Sequence, residues 1–226
     1  MAAFHLQCDI IFNEPVRKQR VQGQGRINRK HDGVVKNPDP RTAYKNSDPS
    51  EHFLQDNQVM GEYLIREVRE SDLDRCFEIE SVAYEGDEAA TREKIRKRIR
   101  DYPEGFLVLE VNNEIAGFIN IGATDDVQLS DERFKEMIGH DSNGKHVVIM
   151  SVVIHPDFQG KGLAAGLMNR FVHKMRGLDK SMIHLICRAR LIDMYRRFGF
   201  VYIRESGSDH GGMKWHEMSM SLNAAT

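Results

Sequence analysis

The stretch SVVIHPDFQGKGLA, residues 151–164, gives the strongest indication of how this chain folds. It continues an apolar, β-branched run that begins at His146, and it leads through a glycine-containing turn into a helical pattern that ends near Met175. The run is too continuously apolar for a half-exposed strand, so it predicts a strand in the middle of a sheet. A central strand that leads directly into a helix is typical of α/β architecture.

The turn between this strand and the helix carries Gly160 and Gly162 on either side of Lys161. The first amides of a helix have no intrahelical acceptor and lie at the positive end of the helix dipole, and glycine leaves them uncovered. The turn is therefore predicted to hold a phosphate or pyrophosphate, with a plain tight turn as the alternative. It has neither the Walker A spacing nor GxGxxG. The residues expected at the bound group are Gln159, Gly160, Lys161, Gly162, Leu163 and Ala164.

Regular elements continue on both sides of this unit. Strand patterns occupy residues 63–68, 106–111, 115–122, 182–188, 200–204 and 214–222, and helical patterns occupy 71–83, 91–101 and 191–198. The polar segment 125–144 carries one short helical pattern near 131–138. Strands and helices in this alternation predict a mixed α/β sheet with helices on both faces.

Composition limits the class of protein. The chain has 226 residues, of which 40% are hydrophobic and 29% charged, and its mean hydropathy is −0.52. These values exclude collagen-like, membrane and fully disordered chains. A formal net charge of −2 makes nucleic acid an unlikely partner, and three cysteines without a CxxC pair argue against a disulfide framework or a structural zinc site.

Residues 1–60 differ from the rest, because they are polar and lack apolar periodicity. They are predicted to be a disordered extension of a domain at residues 61–224. Basic groups at 17–20 and 26–30 leave a nucleic-acid-binding arm as an alternative, although nearby acidic residues dilute their charge. No apolar run approaches the roughly 20 residues of a membrane helix, and no secretory signal is recognisable, so we expect a cytoplasmic protein without a membrane partner.

Two motifs carry a resemblance to a known family. Gln159-x-x-Gly162-x-Ala164 resembles the acetyl-CoA signature of the GNAT N-acetyltransferase superfamily, and Tyr195-x-x-x-Gly199-Phe200 is similar to the segment after its fifth strand. The resemblance covers residues 63–222. It implies a mixed, mostly antiparallel twisted sheet with a central splayed strand pair and helices on both faces. It also implies acetyl-CoA as co-substrate and direct acetyl transfer to a primary amine, without a covalent enzyme intermediate.

Shorter matches at 77–80, 87–90 and 210–215 resemble the arylalkylamine N-acetyltransferase group. They imply a small arylalkylamine as the substrate. Acetylation of a peptide N-terminus or a lysine, or a non-catalytic acyl-CoA sensor, stays open. Paired domains are common in the superfamily, so a homodimer is a further expectation.

The implied reaction assigns roles to residues of this chain. A splayed strand offers free amides for CoA along Val152, Val153 and Ile154, and the amide of Val152 or Val153 is expected to polarise the thioester oxygen. Tyr195 matches the general acid of the family. A phenol of pKa about 10 protonates a thiolate whose conjugate acid is near 8.5 at a cost of about 2 kcal/mol. The alternative interpretation of Tyr195 is a core residue on one helical stripe.

A primary amine with a pKa near 10 is almost wholly ammonium at pH 7 and must lose a proton before it attacks. The His-x-His of vertebrate arylalkylamine enzymes is absent, because Val148 and Met150 take its place. Asp87-Glu88 matches the acidic pair of insect relatives, so Glu88 is the predicted base, against an ordinary helix-start carboxylate. Glu80 is the weaker candidate for the base. Glu80 and His210 are predicted to contact the amine, with a polar hairpin loop as the alternative for His210. The histidines show no spacing that implies a metal.

Overall fold

The computed structural model describes residues 63–84, 89–208 and 214–223. Seven strands form one sheet in the order β1-β2-β3-β4-β5-β7-β6. The strands are β1 (Tyr63–Glu67), β2 (Phe106–Val111), β3 (Glu114–Thr124), β4 (His146–Ile154), β5 (Met182–Cys187), β6 (Val201–Glu205) and β7 (His216–Ser221). The α-helices are α1 (Leu73–Ala83), α2 (Arg92–Asp101), α3 (Leu163–Gly177) and α4 (Ile192–Arg197).

Local sequence signals explain where several elements begin. Thr91 caps α2, because its side chain accepts a hydrogen bond from the Lys94 amide. Asn112 and Asn113 have φ values of 52° and 65°, which give the tight turn between β2 and β3. The predicted elements are confirmed at these places, and β3 runs two residues further than the pattern indicated, to Thr124. The short helix predicted in the polar segment is a 3-10 helix, Glu132–Glu136.

The sheet is mixed and mostly antiparallel, as predicted. Neighbouring strands from β1 to β4 pair antiparallel, and so do β5 with β7 and β6 with β7. The join between β4 and β5 is parallel and consists of only three paired rows, from His146–Met182 to Val148–His184. Both strands continue beyond these rows without pairing to each other, so the sheet opens along the second half of β4. This confirms the central splayed pair.

A β-bulge interrupts β4 where the sheet begins to open. Ser151 lies opposite Asn120 on β3, but the next paired row joins Ile149 to Ile121. Met150 is therefore an extra residue on β4, and a bulge of this kind locally increases strand twist and redirects the side chains that follow.

Helices cover both faces of the sheet. Apolar residues of α1 and α2, among them Ile79 and Ile95, pack on the face that carries Phe118 and Val153. Residues of α3 such as Phe171 pack on the opposite face. The first face is called the α1/α2 face below.

Three predictions fall on residues outside the described ranges: the disordered extension at 1–60, Glu88 and His210. None of the described helices has both the length and the apolar character needed to cross a bilayer.

Candidate active site

The turn at the start of α3 has the conformation that its glycines predict. Gly160 and Gly162 have φ values of 72° and 73°. This left-handed backbone region is one that residues other than glycine rarely adopt. Gly162 is the N-cap of α3, and its carbonyl accepts from the amide of Ala165. Among the described residues, the backbone amides of 160–164 donate to no backbone carbonyl. They are thus available to an anion at the positive end of the helix.

Side chains fix this turn to the end of β4. The side-chain nitrogen Nε2 of Gln159 donates a hydrogen bond to the Ile154 carbonyl at 2.8 Å. The Lys161 ammonium donates to the Asp157 carbonyl at 3.0 Å and lies 5.2 Å from the centroid of the Phe158 ring. The signature glutamine therefore holds the turn against the open strand, and Lys161 adds a positive charge beside the free amides. A small concavity at this place is lined by Ile154, Phe158, Gln159, Gly160, Gly162, Leu163 and Ala164.

The open edge of β4 presents alternate backbone groups. The His155 amide donates to the Ala116 carbonyl of β3 at 2.8 Å. Amides alternate in direction along an antiparallel strand, so Val153 is directed to β3 as well. The amides of Val152 and Ile154 point the other way, to the edge from which β5 has departed. Of the two predicted oxyanion donors, only Val152 faces the open edge.

Tyr195 lies on α4, which follows β5 on the far side of the opening. Its side chain is fully buried, and its ring contacts Phe200 edge to face with 5.5 Å between centroids. The ring is thus part of the core, as the stripe interpretation predicted. The assignment of its hydroxyl as the general acid stays a prediction.

Glu80 is buried on the inner side of α1, with 2% of its surface exposed. Its Oε1 accepts two hydrogen bonds of 3.1 Å, one from the Ala90 amide and one from the Ser151 hydroxyl of β4. Burial raises the pKa of Glu80, while the charge of Arg98 and the two hydrogen bonds act in the opposite direction. The carboxyl therefore lies against the bulged strand and also holds Ala90, which precedes α2.

Two further polar side chains complete this cluster. Arg98 of α2 is buried, and its guanidinium donates to the Lys135 carbonyl at 3.2 and 3.3 Å and to the Asn120 side-chain oxygen at 3.3 Å. Burial lowers the pKa of Arg98, and the charge of Glu80 opposes this shift. We call Glu80, Arg98, Asn120 and Ser151 the buried polar cluster.

Of these four residues, sequence reasoning identified only Glu80. A signal for Arg98 was present, because it shares the apolar stripe of α2 with Ile95 and Ile99. Ser151 was visible as a lone hydroxyl in an apolar strand. No local pattern showed that these side chains meet.

The described part of the chain contains no group of three or more histidine, cysteine, aspartate or glutamate side chains that could hold a metal ion.

A mixed sheet that opens beside a glycine-containing helix start is the arrangement that the resemblance to GNAT proteins implied. A sequence profile of the acetyltransferase (GNAT) family matches residues 63–200, which is more than half of the chain. The chain belongs to this family.

Curated relatives match parts of the chain. An uncharacterized N-acetyltransferase of Porphyra purpurea is 41% identical over 59 residues, which are 26% of this chain and 34% of that protein. An uncharacterized N-acetyltransferase of Methanocaldococcus jannaschii is 28% identical over 149 residues, or 61% of this chain and 60% of that protein. Serotonin N-acetyltransferase 2, chloroplastic, of Oryza sativa subsp. japonica is 38% identical over 55 residues, or 24% and 28%. The chain thus spans about a third of the length of the Porphyra relative.

Solved structures share the fold. The loading GNATL domain of CurA from Lyngbya majuscula superposes with a TM-score of 0.64 at 17% identity, over 72% of this chain and 98% of that domain. The protein yncA from Salmonella typhimurium, solved with its cofactor acetyl-CoA, gives a TM-score of 0.54 at 20% identity, over 74% of this chain and 97% of that chain. At these identities the likeness concerns the fold alone.

Proposed function

We propose that this protein transfers an acetyl group from acetyl-CoA to a primary amine by direct nucleophilic attack. The observation that carries the proposal is the open edge of β4, where the amides of Val152 and Ile154 continue toward the free amides at the start of α3. An extended ligand with a diphosphate at one end and amides and a thioester at the other matches this series of donors.

Each part of acetyl-CoA then has a place. The amides of residues 160–164 hold the diphosphate, with Lys161 adding charge. The open edge of β4 pairs with the amide groups of the pantetheine arm, as one strand pairs with another. The Val152 amide stabilises the oxygen that becomes negative in the tetrahedral transition state. Tyr195 protonates the departing thiolate.

We further propose that the amine is a small arylalkylamine. The short similarity to a rice protein named as a serotonin N-acetyltransferase supports this choice. Peptide N-termini and lysine side chains are the competing acceptors. A non-catalytic acyl-CoA sensor is the competing class of function.

The test is an activity panel with the full chain. Acetyl-CoA is incubated with arylalkylamines, polyamines, amino acids and short peptides, and both thiol release and the mass of the acetylated product are followed. We expect turnover on arylalkylamines. Turnover only on peptides would replace the proposed substrate class, and tight acetyl-CoA binding without turnover on any amine would support the sensor instead.

A further inference from the structure

Among the described residues, two polar atoms of the buried polar cluster have no hydrogen-bond partner. Oε2 of Glu80 and Nδ2 of Asn120 are both buried, and neither has a hydrogen-bond partner within the described residues. The two side chains are only 2% and 1% exposed. An unsatisfied buried polar group costs on the order of 1–3 kcal/mol, so a fold seldom retains two in one place without a use. One atom is an acceptor and the other a donor.

The cluster lies beside the reacting end of the proposed acetyl-CoA site. Ser151 follows the bulge at Met150 and directly precedes Val152, whose amide faces the open edge. The Ser151 side chain points to the α1/α2 face, where its hydroxyl donates to Glu80. A single hydroxyl thus connects the buried carboxyl to the level of β4 at which the thioester is expected. Asn120 lies directly opposite Ser151 on β3.

The surroundings suit a group that takes up a proton. Burial raises the pKa of Glu80, which moves a carboxyl toward the neutral range in which a general base works best. Among the ionisable neighbours, the charge of Arg98 acts to lower the pKa of Glu80, and the charge of Glu80 acts to raise the pKa of the Cys76 thiol. Tyr84 interacts with Arg98. The guanidinium of Arg98 bonds to Asn120 and to a backbone carbonyl rather than to the carboxylate. Arg98 therefore does not neutralise Glu80 through a direct ion pair.

We infer that Ser151 and Glu80 form the proton relay that deprotonates the amine substrate, with Glu80 as the terminal acceptor. Ser151 takes a proton from the ammonium while its own proton passes to Glu80. The amine nitrogen then bonds to the thioester carbon, and the carbon–sulfur bond breaks with its electron pair on sulfur. The thiolate takes the proton of Tyr195, and the proton shed by the new amide nitrogen restores the Tyr195 hydroxyl. Glu80 finally releases its proton to solvent.

This inference rests on the proposed function and deepens it. It replaces Glu88, the base that the motif comparison favoured, with a carboxyl that the fold attaches to β4. Arg98 and Asn120 are positioning residues, because they hold the surroundings of the relay without touching the amine.

The experiment measures kcat/KM for the best amine of the panel between about pH 5 and 9, using the full chain. The variants are Glu80→Gln, Ser151→Ala and Glu88→Gln. Glu78→Gln is the matched control, because this carboxylate lies on the same helix but is exposed and pairs with Arg75 at 2.9 Å. The dissociation constant of acetyl-CoA is measured for every variant.

For Glu80→Gln we expect a loss of about 10²-fold in kcat/KM at neutral pH, and the loss of the acidic limb of the pH profile. Ser151→Ala should reduce kcat/KM at least about tenfold. Acetyl-CoA affinity should stay unchanged in both variants. The control Glu78→Gln should keep the wild-type profile, and Glu88→Gln should keep the acidic limb. If Glu80→Gln does not fold, Ser151→Ala decides, because it retains the bond between Glu80 and Ala90.

A Glu80→Gln or Ser151→Ala variant with the wild-type rate and pH profile would overturn the relay while the proposed function stands. Loss of the acidic limb in Glu88→Gln instead would restore the base that the sequence motif indicated. A wild-type protein that acetylates no amine would overturn the proposed function and the relay with it.

Discussion

Tyr195 combines a core position with a hydroxyl that the proposed chemistry requires. Its ring packs on Phe200, so Tyr195→Phe retains the ring and removes only the oxygen. We expect kcat to fall about 10²-fold or more, because the thiolate loses its proton donor, while the dissociation constant of acetyl-CoA stays unchanged. The cost in stability should be about 1 kcal/mol. Thiol release and calorimetric titration check this, and an unchanged kcat would leave Tyr195 a packing residue alone.

Glu80 should also affect stability in a pH-dependent way that needs no substrate. Burial raises its pKa in the folded protein, so the folded state binds this proton more tightly than the unfolded state does. The corresponding stability is present below the unfolded pKa and is lost as the pH rises through the folded pKa. Glutamine cannot ionise. The free energy of unfolding of Glu80→Gln, relative to wild type, should therefore rise with pH across this window.

Urea denaturation at a series of pH values measures this difference. Glu78→Gln again serves as the control, because it removes the same charge from the exposed side of α1. A difference between Glu80→Gln and wild type that does not change with pH would show that Glu80 ionises in the folded protein as it does in the unfolded chain.

Lys180 illustrates a buried charge that is structural. Its ammonium donates to the carbonyls of Ser142 and Gly144, at 2.5 and 2.8 Å, and so holds the segment before β4. Lys180→Met should lower the free energy of unfolding by about 2–3 kcal/mol, because hydrogen bonds to charged groups lie at the upper end of the usual range. Chemical denaturation checks this value. A loss comparable to that of an exposed lysine substitution would contradict it.

The directions of the β4 amides predict which of them a bound ligand should protect from exchange. Val152 and Ile154 face the open edge, and Val153 faces β3. In hydrogen exchange followed by NMR, the amides of Val152 and Ile154 should become protected when acetyl-CoA binds, because the ligand supplies their acceptors. Val153 should be protected with and without the ligand. Equal behaviour of the three amides would contradict the proposed pairing of the ligand with β4.

A substitution at the start of α3 tests the proposed contacts with the diphosphate. Gly162→Ala forces a side chain into the left-handed region at a cost of about 1–2 kcal/mol, and it covers the amides that should hold the diphosphate. The strain should lower the Tm. The dissociation constant for acetyl-CoA should rise at least about tenfold if the covered amides lose about 1.4 kcal/mol of contacts to the diphosphate, because this free energy corresponds to a factor of ten. Gly177→Ala, at the far end of α3, has open space around the new methyl group and is the matched control. Equal effects of the two substitutions would contradict the assigned role of the turn.

Elements with a strong local signal were predictable. The strand at 146–154, the cap at Thr91 and the glycine turn before α3 each depend on neighbours in the sequence. The buried polar cluster could not be predicted from the sequence, because Ser151 and Glu80 are 71 residues apart and meet only when α1 packs on the sheet. The direction of the Val152 amide was also hidden, since it depends on the register with β3 and on the bulge at Met150.

Binding of acetyl-CoA should stabilise the folded protein against unfolding. A ligand that binds only the folded state adds about 2.7 kcal/mol at a concentration of 100 Kd. For a domain of this size we expect the Tm to rise by about 8 °C. CoA without the acetyl group should give a similar rise, because most of the proposed contacts involve the diphosphate and the pantetheine arm. Differential scanning calorimetry checks both, and the absence of any shift would contradict the site.

The three-row join between β4 and β5 also has a consequence for how the chain folds. The strands from β1 to β4 follow one another as antiparallel neighbours, and β5, β6 and β7 form a second group. Antiparallel hairpins form early, whereas a parallel join must wait for its crossover, here the whole of α3. The two groups of strands should thus gain order before the join between them closes. The opening at which we propose that the ligand binds should then also be the part of the sheet that is assembled last.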